Sequence, residues 1–251
     1  MRSGKFGFLK SFSAAPPAGG DPFWANVISL LHFDDSLGAT SFYDSKLGAN
    51  WTGGGAIVSV PAAMGGRELK LSRTDSNGVY PPSGPGSSYD YNVLAEKFSL
   101  EFTHTWGPNA RIWIYAIGGG AASWGGGNVQ IDLLINTTSD YRIGLEIRSG
   151  GSTPIKTLSG PLSPTGRHKI GLFRDDDNYY FLINGVLIGT IPVATVPSTG
   201  ITGERFVTVG ALGGGLTSLI SDAYFDEMRF TRGVARQTAA YTPDTDPFPN
   251  F

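Results

Sequence analysis

The stretch "YFDEMRFTRGVARQTAAYTPDTDPFP" (residues 224–249) lies near the end of the chain, and its first half alternates in a way that predicts a strand. Successive side chains of a β-strand leave opposite faces, so a period of two separates two rows. The rows are Tyr224, Asp226, Met228 and Phe230 against Phe225, Glu227 and Arg229. The carboxylate of Asp226 therefore falls in a mostly apolar row. An unpaired buried carboxylate would cost several kcal/mol or become neutral, so the sequence predicts a partner for Asp226.

Segments of the same character recur along the chain from residue 26 onward. The Asn184-Gly185 step between two apolar runs is a strong signal for a β-hairpin. Because 36 glycines and a charged fraction of 16% accompany these segments and none has a helical period, the chain is typical of two packed antiparallel sheets. The predicted strands span 26–33, 68–72, 98–106, 111–117, 128–136, 141–148, 168–174, 178–191 (a hairpin), 205–212 and 223–231.

The overall composition argues against several classes of function. The formal net charge of −2 does not favour nucleic-acid binding, which requires a basic surface. With no cysteine in the chain, disulfides, thiolate metal sites and cysteine nucleophiles are ruled out. No apolar run reaches the ~18 residues of a membrane span, and Gly7 and Lys10 interrupt the run that a signal peptide would need. We therefore expect neither membrane insertion nor a cleaved signal.

The first twenty residues, "MRSGKFGFLKSFSAAPPAGG", differ in composition from the rest. Aromatic and basic residues precede a linker-like run of alanine, proline and glycine. An arm without its own core becomes ordered by binding a partner. The sequence thus predicts a docking arm at 1–20 and a single domain at 21–251. The candidate anchors in the arm are Phe6, Phe8, Leu9 and Phe12.

Five segments carry a resemblance to a known family. They are "DPFWANVISLLHFDDSLGATSFYDSKLGANW" (21–51), "GGRELKL" (65–71), "FSLEFTHTW" (98–106), "YYFLINGVLIG" (179–189) and "YFDEMRFTRGVARQTAAYTPDTDPFP" (224–249). In this order they resemble the concanavalin A-like, laminin-G-like jelly-roll domains of tailed-bacteriophage virion proteins. The glycine-rich insert at 117–128 and the arm lie outside the resemblance.

This resemblance implies a fold and a role. The fold is an all-β, two-sheet antiparallel jelly-roll sandwich. The role is that of a non-enzymatic virion structural protein on the phage particle surface, decorating the capsid or tail or binding a host glycan. Other virion proteins would be its partners through residues 1–20. A homotrimer is compatible with such a role, although no residue requires it.

The resemblance also suggests a structural Ca²⁺ that ties the first strand to the last, as in related jelly-roll lectins and hydrolases. Calcium prefers carboxylate and carbonyl oxygens. Asp34 and Asp35 end the first core strand and Asp226 lies in the last, so these three are the candidate ligands. The alternative is that Asp226 pairs with a basic neighbour, such as Arg229 or Arg232, or binds backbone N–H groups. Both explanations stay open at this point.

Two further functions compete with the structural role. Laminarinase-type hydrolases on this fold carry a glutamate-x-aspartate-x-x-glutamate strand, and this spacing is absent, with Glu101 and Glu146 isolated. We therefore expect a protein that is not an enzyme. A free-standing carbohydrate-binding module would need an aromatic platform, although most aromatic residues fill cores. The glycan-binding candidates are Trp113, Tyr115, Trp124 and Tyr180.

Overall fold

The computed structural model describes residues 20–53, 57–61, 66–71, 79–82, 96–106, 111–119, 129–136, 142–149, 154–161, 166–196, 205–209 and 223–250. Regular structure in these residues is β-strand apart from two single 3₁₀ turns, Trp24–Asn26 and Val193–Thr195. The strands are β1 (Val27–Leu31), β2 (Ser41–Asp44), β3 (Ala49–Gly53), β4 (Ile57–Pro61), β5 (Arg67–Leu71), β6 (Val79–Tyr80), β7 (Phe98–Trp106), β8 (Arg111–Gly119), β9 (Val129–Asn136), β10 (Arg142–Ser149), β11 (Pro154–Pro161), β12 (Arg167–Arg174), β13 (Asn178–Ile183), β14 (Val186–Pro192), β15 (Arg205–Val209) and β16 (Ala223–Arg232). The part of the chain that the structure describes contains no helix long and apolar enough to cross a membrane.

The strands follow one hydrogen-bonded path that folds over into two layers. The path runs β11-β10-β9-β8-β15-β6-β3-β2-β1-β16-β7-β12-β13-β14, and β5 joins β4 to β16. Strands β1 and β2 share a single antiparallel pair, Leu31 with Asp44, so the path turns a corner there. The ladders along the path are antiparallel, which confirms the predicted two-sheet jelly-roll sandwich.

Buried side chains from both layers form one core. The first layer contributes Phe42, Trp51, Val79, Ile143, Leu145, Ile147 and Val209, and the second contributes Leu31, Phe98, Leu100, Phe102, Ile170, Leu172, Phe181, Phe225, Met228 and Phe230. Each such side chain stabilises the fold by about 1.5–3 kcal/mol when it leaves water. The alternating strand patterns of the sequence therefore meet as the two inner faces of a sandwich.

The predicted hairpin is present, and its turn is hydrogen-bonded to Tyr241 near the end of the chain. Asn184 and Gly185 adopt φ values of 51° and 75° between β13 and β14, as a tight hairpin turn requires. The carbonyl of Gly185 accepts a hydrogen bond of 2.9 Å from the amide of Tyr241. A Cβ at Gly185 would lie 2.0 Å from the Tyr241 carbonyl oxygen. Glycine is needed here both for the turn and for this close approach.

The last strand departs from simple alternation at a β-bulge. Glu227 has a φ of 51°, and the register of β16 against β7 shifts between Asp226 and Arg229. An extra residue in one strand reverses the facing of everything after it. Phe225 and Met228 both point into the core, whereas Asp226 and Arg229 point outward. The single row predicted for Tyr224, Asp226, Met228 and Phe230 was therefore wrong: Asp226 does not share a face with Met228 and Phe230.

Residues 233–250, called here the C-terminal strap, cover the outer face of the second layer. Phe248 is buried with Val27 and Leu30 in a small second core. The carbonyl of Asp244 accepts a hydrogen bond of 3.2 Å from Lys169 Nζ on β12. Polar side chains on this outer face are consequently removed from water.

Candidate functional site

The bulge in β16 marks a junction between three strands. After the bulge β16 pairs with β1, as far as Leu31 with Met228, and before it with β5, from Phe225 with Leu69. Strands β1 and β5 thus lie end to end along one side of β16, and the gap between them separates the end of β1 at Leu31 from the start of β5 at Arg67. The sequence prediction that the first and last strands meet near Asp34 and Asp226 matches this arrangement.

Asp34 and Asp35 each bind backbone N–H groups near this gap. Asp34 Oδ1 accepts a hydrogen bond of 2.7 Å from the amide of Arg67 at the start of β5. The Asp35 carboxylate accepts one from the amide of Tyr43, with distances of 3.3 and 3.2 Å to its two oxygens. Burial raises the pKa of the Asp35 carboxyl, against the effect of the Tyr43 bond. The two adjacent aspartates therefore anchor two different strands.

The partner of Asp226 lies on β12, whereas the sequence suggested Arg229 or Arg232 on the last strand itself. The carboxylate of Asp226 pairs with the guanidinium of Arg167 on β12, and the Asp226 side chain is 3% exposed. Burial raises the pKa of Asp226 to about 7 in spite of Arg167, and the nearby charges of Glu227 and Asp34 act in the same direction. An ion pair, the second of the two explanations left open above, accounts for this acid, although neither Arg229 nor Arg232 supplies it.

His32 links the junction to the C-terminal strap. Its Nδ1 lies 2.8 Å from Glu227 Oε1, and its Nε2 lies 2.9 Å from Asn250 Oδ1. Glu227 Oε2 accepts a hydrogen bond of 2.7 Å from the amide of Phe248. The unusual φ of Glu227 thus places one carboxylate between the first strand and the strap. Burial alone would lower the pKa of His32, but Glu227 and Asn250 outweigh it and raise the pKa to about 9.

Because the pKa of His32 is raised, we expect the free energy of unfolding to decrease as the pH rises from 6.5 to 9. A group whose pKa rises on folding stabilises the fold fully below its unfolded pKa, about 6.5 for His32, and the contribution disappears as the pH passes 9. The shift corresponds to about 3 kcal/mol. We expect His32→Gln to remove this decline in urea unfolding measured between pH 6.5 and 9. We also expect Glu227→Gln to return the NMR titration of His32 towards pH 6.5, and a wild-type midpoint already near 6.5 would contradict the ion pair of His32 with Glu227.

A second ionic cluster lies under the strap. Arg229 donates to Glu101 Oε2 at 3.0 and 2.7 Å and to Asp21 Oδ2 at 3.1 Å. Arg236 Nη1 and Nη2 donate hydrogen bonds of 2.8 and 2.7 Å to Oδ1 and Oδ2 of Asp21. Although burial would raise the pKa of Asp21, the bonds from Arg236 and the Phe23 amide and the charges of both arginines hold it below its usual value. The guanidinium of Arg229 also stacks on Phe248, 3.8 Å from the ring centroid.

One heavily hydrogen-bonded carboxylate is not among the candidates that the sequence suggested. Asp44, at the corner between the layers, has 0% exposure. In the described part of the chain it accepts hydrogen bonds from Ser29 Oγ, the amides of Leu30, Lys46 and Leu47, and Trp51 Nε1, the four nitrogens lying at 2.9–3.0 Å. The "FYDS" turn of residues 42–45 was the available signal. Its aspartate organises the whole β1–β2–β3 corner.

The carboxylates of the junction do not suit a calcium ion as they are placed. Asp34 and Asp35 bind different backbone amides, and Asp226 is hydrogen-bonded to Arg167. Among the described residues, no three His, Cys, Asp or Glu side chains are grouped so that they could hold a metal. Calcium dependence stays a prediction, which thermal melts with and without EDTA would test.

The glycan-binding and assembly candidates are only partly placed. Tyr180 is half-buried on β13, and its hydroxyl donates to Asp175 Oδ2 at 2.7 Å. Trp113 and Tyr115 lie on β8, of which the structure describes the backbone alone. Trp124 and the arm residues Phe6, Phe8, Leu9 and Phe12 lie outside the described residues. Of these candidates the structure describes the side chain of Tyr180 alone, and all of them stay predictions.

The junction and the ionic cluster under the strap both consist of side chains paired with partners of opposite charge. His32 is held in its charged form by Glu227, Asp226 is bound by Arg167, and Glu101 is bound by Arg229. Each of these groups is occupied by a partner of opposite charge. These pairs therefore connect the first strand, the last strand and the strap, and the carboxylates stabilise the fold.

The fold is shared with solved structures at low sequence identity. A mutant of Trypanosoma rangeli sialidase displaying trans-sialidase activity aligns with a TM-score of 0.58 at 14% identity, over 82% of this chain and 31% of the sialidase. The binding domain of botulinum neurotoxin DC in complex with rat synaptotagmin II aligns with a TM-score of 0.56 at 14% identity, over 89% of this chain and 50% of that one. The same toxin domain in complex with SialylT gives a TM-score of 0.54 at 15% identity, with the same coverage.

These likenesses establish a class of fold. The chain is a β-sandwich of the kind found in those proteins, and it spans about a third of the sialidase and half of the toxin domain. No protein-family model and no curated protein matches the sequence. The phage origin implied by the motifs is therefore not shown by the comparisons.

Proposed function

We propose that this protein is a non-enzymatic recognition module that binds a glycan through its β-sandwich. The observation that carries the proposal is the shared fold with a toxin binding domain solved in complex with SialylT. The non-enzymatic part is supported by the state of the buried acids. Glu101 and Asp226 are at most 5% exposed and are bound by arginines, so neither is free to meet a substrate as a general acid.

A glycan array with the labelled full-length protein tests this proposal. Because single lectin-like sites bind weakly, the protein should be presented on multivalent beads, where avidity raises the signal. We expect binding to a limited set of glycans without any change in their mass. Release of a shortened glycan, detected by mass spectrometry, would instead indicate a hydrolase. Complete absence of binding across the array would contradict the recognition role.

We further propose that the module is displayed on a phage particle, with residues 1–20 as its attachment. The support is the ordered series of sequence motifs that resembles phage virion jelly-roll domains. An N-terminal arm joined through a proline- and glycine-containing linker would leave the sandwich free to face outward.

Deletion of residues 2–20 tests the attachment. We expect the truncated chain to keep the thermal melt of the full chain and to be lost from purified particles. The matched control replaces Phe6, Phe8, Leu9 and Phe12 by serine, which keeps the length of the arm but removes its apolar anchors. Normal incorporation of the truncated chain would show that the arm is not the attachment.

A further inference from the structure

Strands β2 and β3 present a small, ordered and solvent-facing surface. The register pairs Ser41 with Thr52 and Tyr43 with Asn50, and all four side chains are exposed. Residues that pair directly across two strands lie on the same side of the sheet. These four side chains form one outward patch, called here the Tyr43 face. Tyr43 itself is 52% exposed.

The Tyr43 face is held in place by the core beneath it and by a hydrogen bond to Asp35. The intervening residues, Phe42 and Trp51, are fully buried in the core, so the two strands cannot rotate or slip without exposing them. The carboxylate of Asp35 accepts a hydrogen bond from the amide of Tyr43, as the carbonyl of a neighbouring strand would do. The face is therefore presented by a rigid scaffold, which lowers the entropic cost of binding.

The polar groups of the face are neutral and oriented. Asn50 Nδ2 donates a hydrogen bond of 2.9 Å to Ser41 Oγ, which fixes the plane of the amide. The four side chains offer hydroxyls, one amide and one aromatic ring, and none of them carries a charge. Such a set suits a ligand that is itself uncharged, rich in hydroxyl groups and apolar on one side. A pyranose ring has this chemistry, since its C–H face stacks on aromatic rings and its hydroxyls exchange hydrogen bonds with amides and hydroxyls.

From these observations we infer that the Tyr43 face is a saccharide-binding subsite, with Tyr43 as the stacking platform and Asn50 and Ser41 as hydroxyl partners. The inference rests on the proposed glycan-binding function and gives it a location. It differs from the aromatic candidates of the sequence, because Tyr43 lies on the corner strands and away from β8 and β13.

The test measures the affinity of the full-length protein for the best glycan found on the array, by calorimetry or by NMR titration. We expect Tyr43→Ala to weaken binding about tenfold or more, which is the loss of one aromatic stacking contact. Tyr43→Phe keeps the ring and should bind within about twofold of wild type, if stacking is the main contribution. Asn50→Ala should weaken binding by about fivefold, the value of one hydrogen bond.

Val186→Ala is the matched control, because Val186 is 59% exposed at the distant β13–β14 hairpin. It should leave the affinity unchanged, and all variants should melt like the wild type because the altered side chains face solvent. Wild-type binding that survives Tyr43→Ala undiminished overturns this subsite but keeps the glycan-binding function. Failure of the wild type to bind any glycan overturns both, and binding of the face to peptides in place of glycans overturns the saccharide assignment.

Discussion

Asp44→Ala is expected to lower the free energy of unfolding by about 5 kcal/mol or more, which is enough to unfold many domains. The buried Asp44 carboxylate accepts hydrogen bonds from three backbone amides, from Ser29 and from Trp51. Alanine would remove the acceptor of five donors, of which those of Ser29, Leu30 and Trp51 are buried and those of Lys46 and Leu47 are partly buried. A buried donor that loses its acceptor costs about 1–3 kcal/mol. We expect the substitution to destabilise both layers, because Asp44 lies at the corner that joins them.

Asp44→Asn makes this prediction measurable even if the alanine variant does not fold. The asparagine oxygen can still accept the three amides of Leu30, Lys46 and Leu47, but its NH₂ group would oppose the N–H of Trp51. We expect an intermediate loss of about 2–3 kcal/mol, read from the urea midpoint. Asp176→Ala is the control, since Asp176 is 75% exposed and pairs only at the surface with Lys97. A loss for Asp44→Asn no larger than that of Asp176→Ala would refute the role assigned to Asp44.

Arg229→Met is expected to cost about 3–5 kcal/mol, because it removes one charge from a buried cluster and leaves the others in place. Methionine keeps most of the side-chain volume, so the loss reports mainly on charge. Glu101 and Asp21 would lose the bonds that Arg229 supplies, and Phe248 would lose the cation stacked on its ring. The strap should loosen first, because Phe248 is its buried anchor.

Arg232→Met on the same strand is the matched control. Arg232 pairs with Glu96, but both side chains are partly exposed, at 41% and 31%. Exposed pairs contribute about 0–1 kcal/mol, so the control should be close to wild type. Urea unfolding gives the two free energies, and hydrogen exchange at the amides of Tyr241 and Phe248 reports on the strap. Equal losses for the two variants would mean that the cluster under the strap is not the buried network that we describe.

Local patterns in the sequence were enough to find most of the strands. An apolar run placed β1, alternation of apolar and polar residues placed β7, and the Asn184-Gly185 turn placed β13 and β14. Strands β2, β3, β4, β6 and β11 were not predicted. The first four of these are at most five residues long, and β11 begins and ends at proline. Short segments have too few residues to show a period, and proline argues against an interior strand.

The sequence patterns therefore predicted an all-β sandwich, and the family resemblance implied that its first and last strands meet near Asp34 and Asp226. Tertiary structure decided which face each acid occupies and which partner it takes. The bulge at Glu227 reverses the facing of β16 at the point where the pairing partner on one side changes from β5 to β1. The partners are also remote, with Glu101 128 residues and Asp21 208 residues from Arg229. Periodicity reports on neighbours in the chain, whereas ion pairs and bulges depend on which distant strands the fold brings side by side.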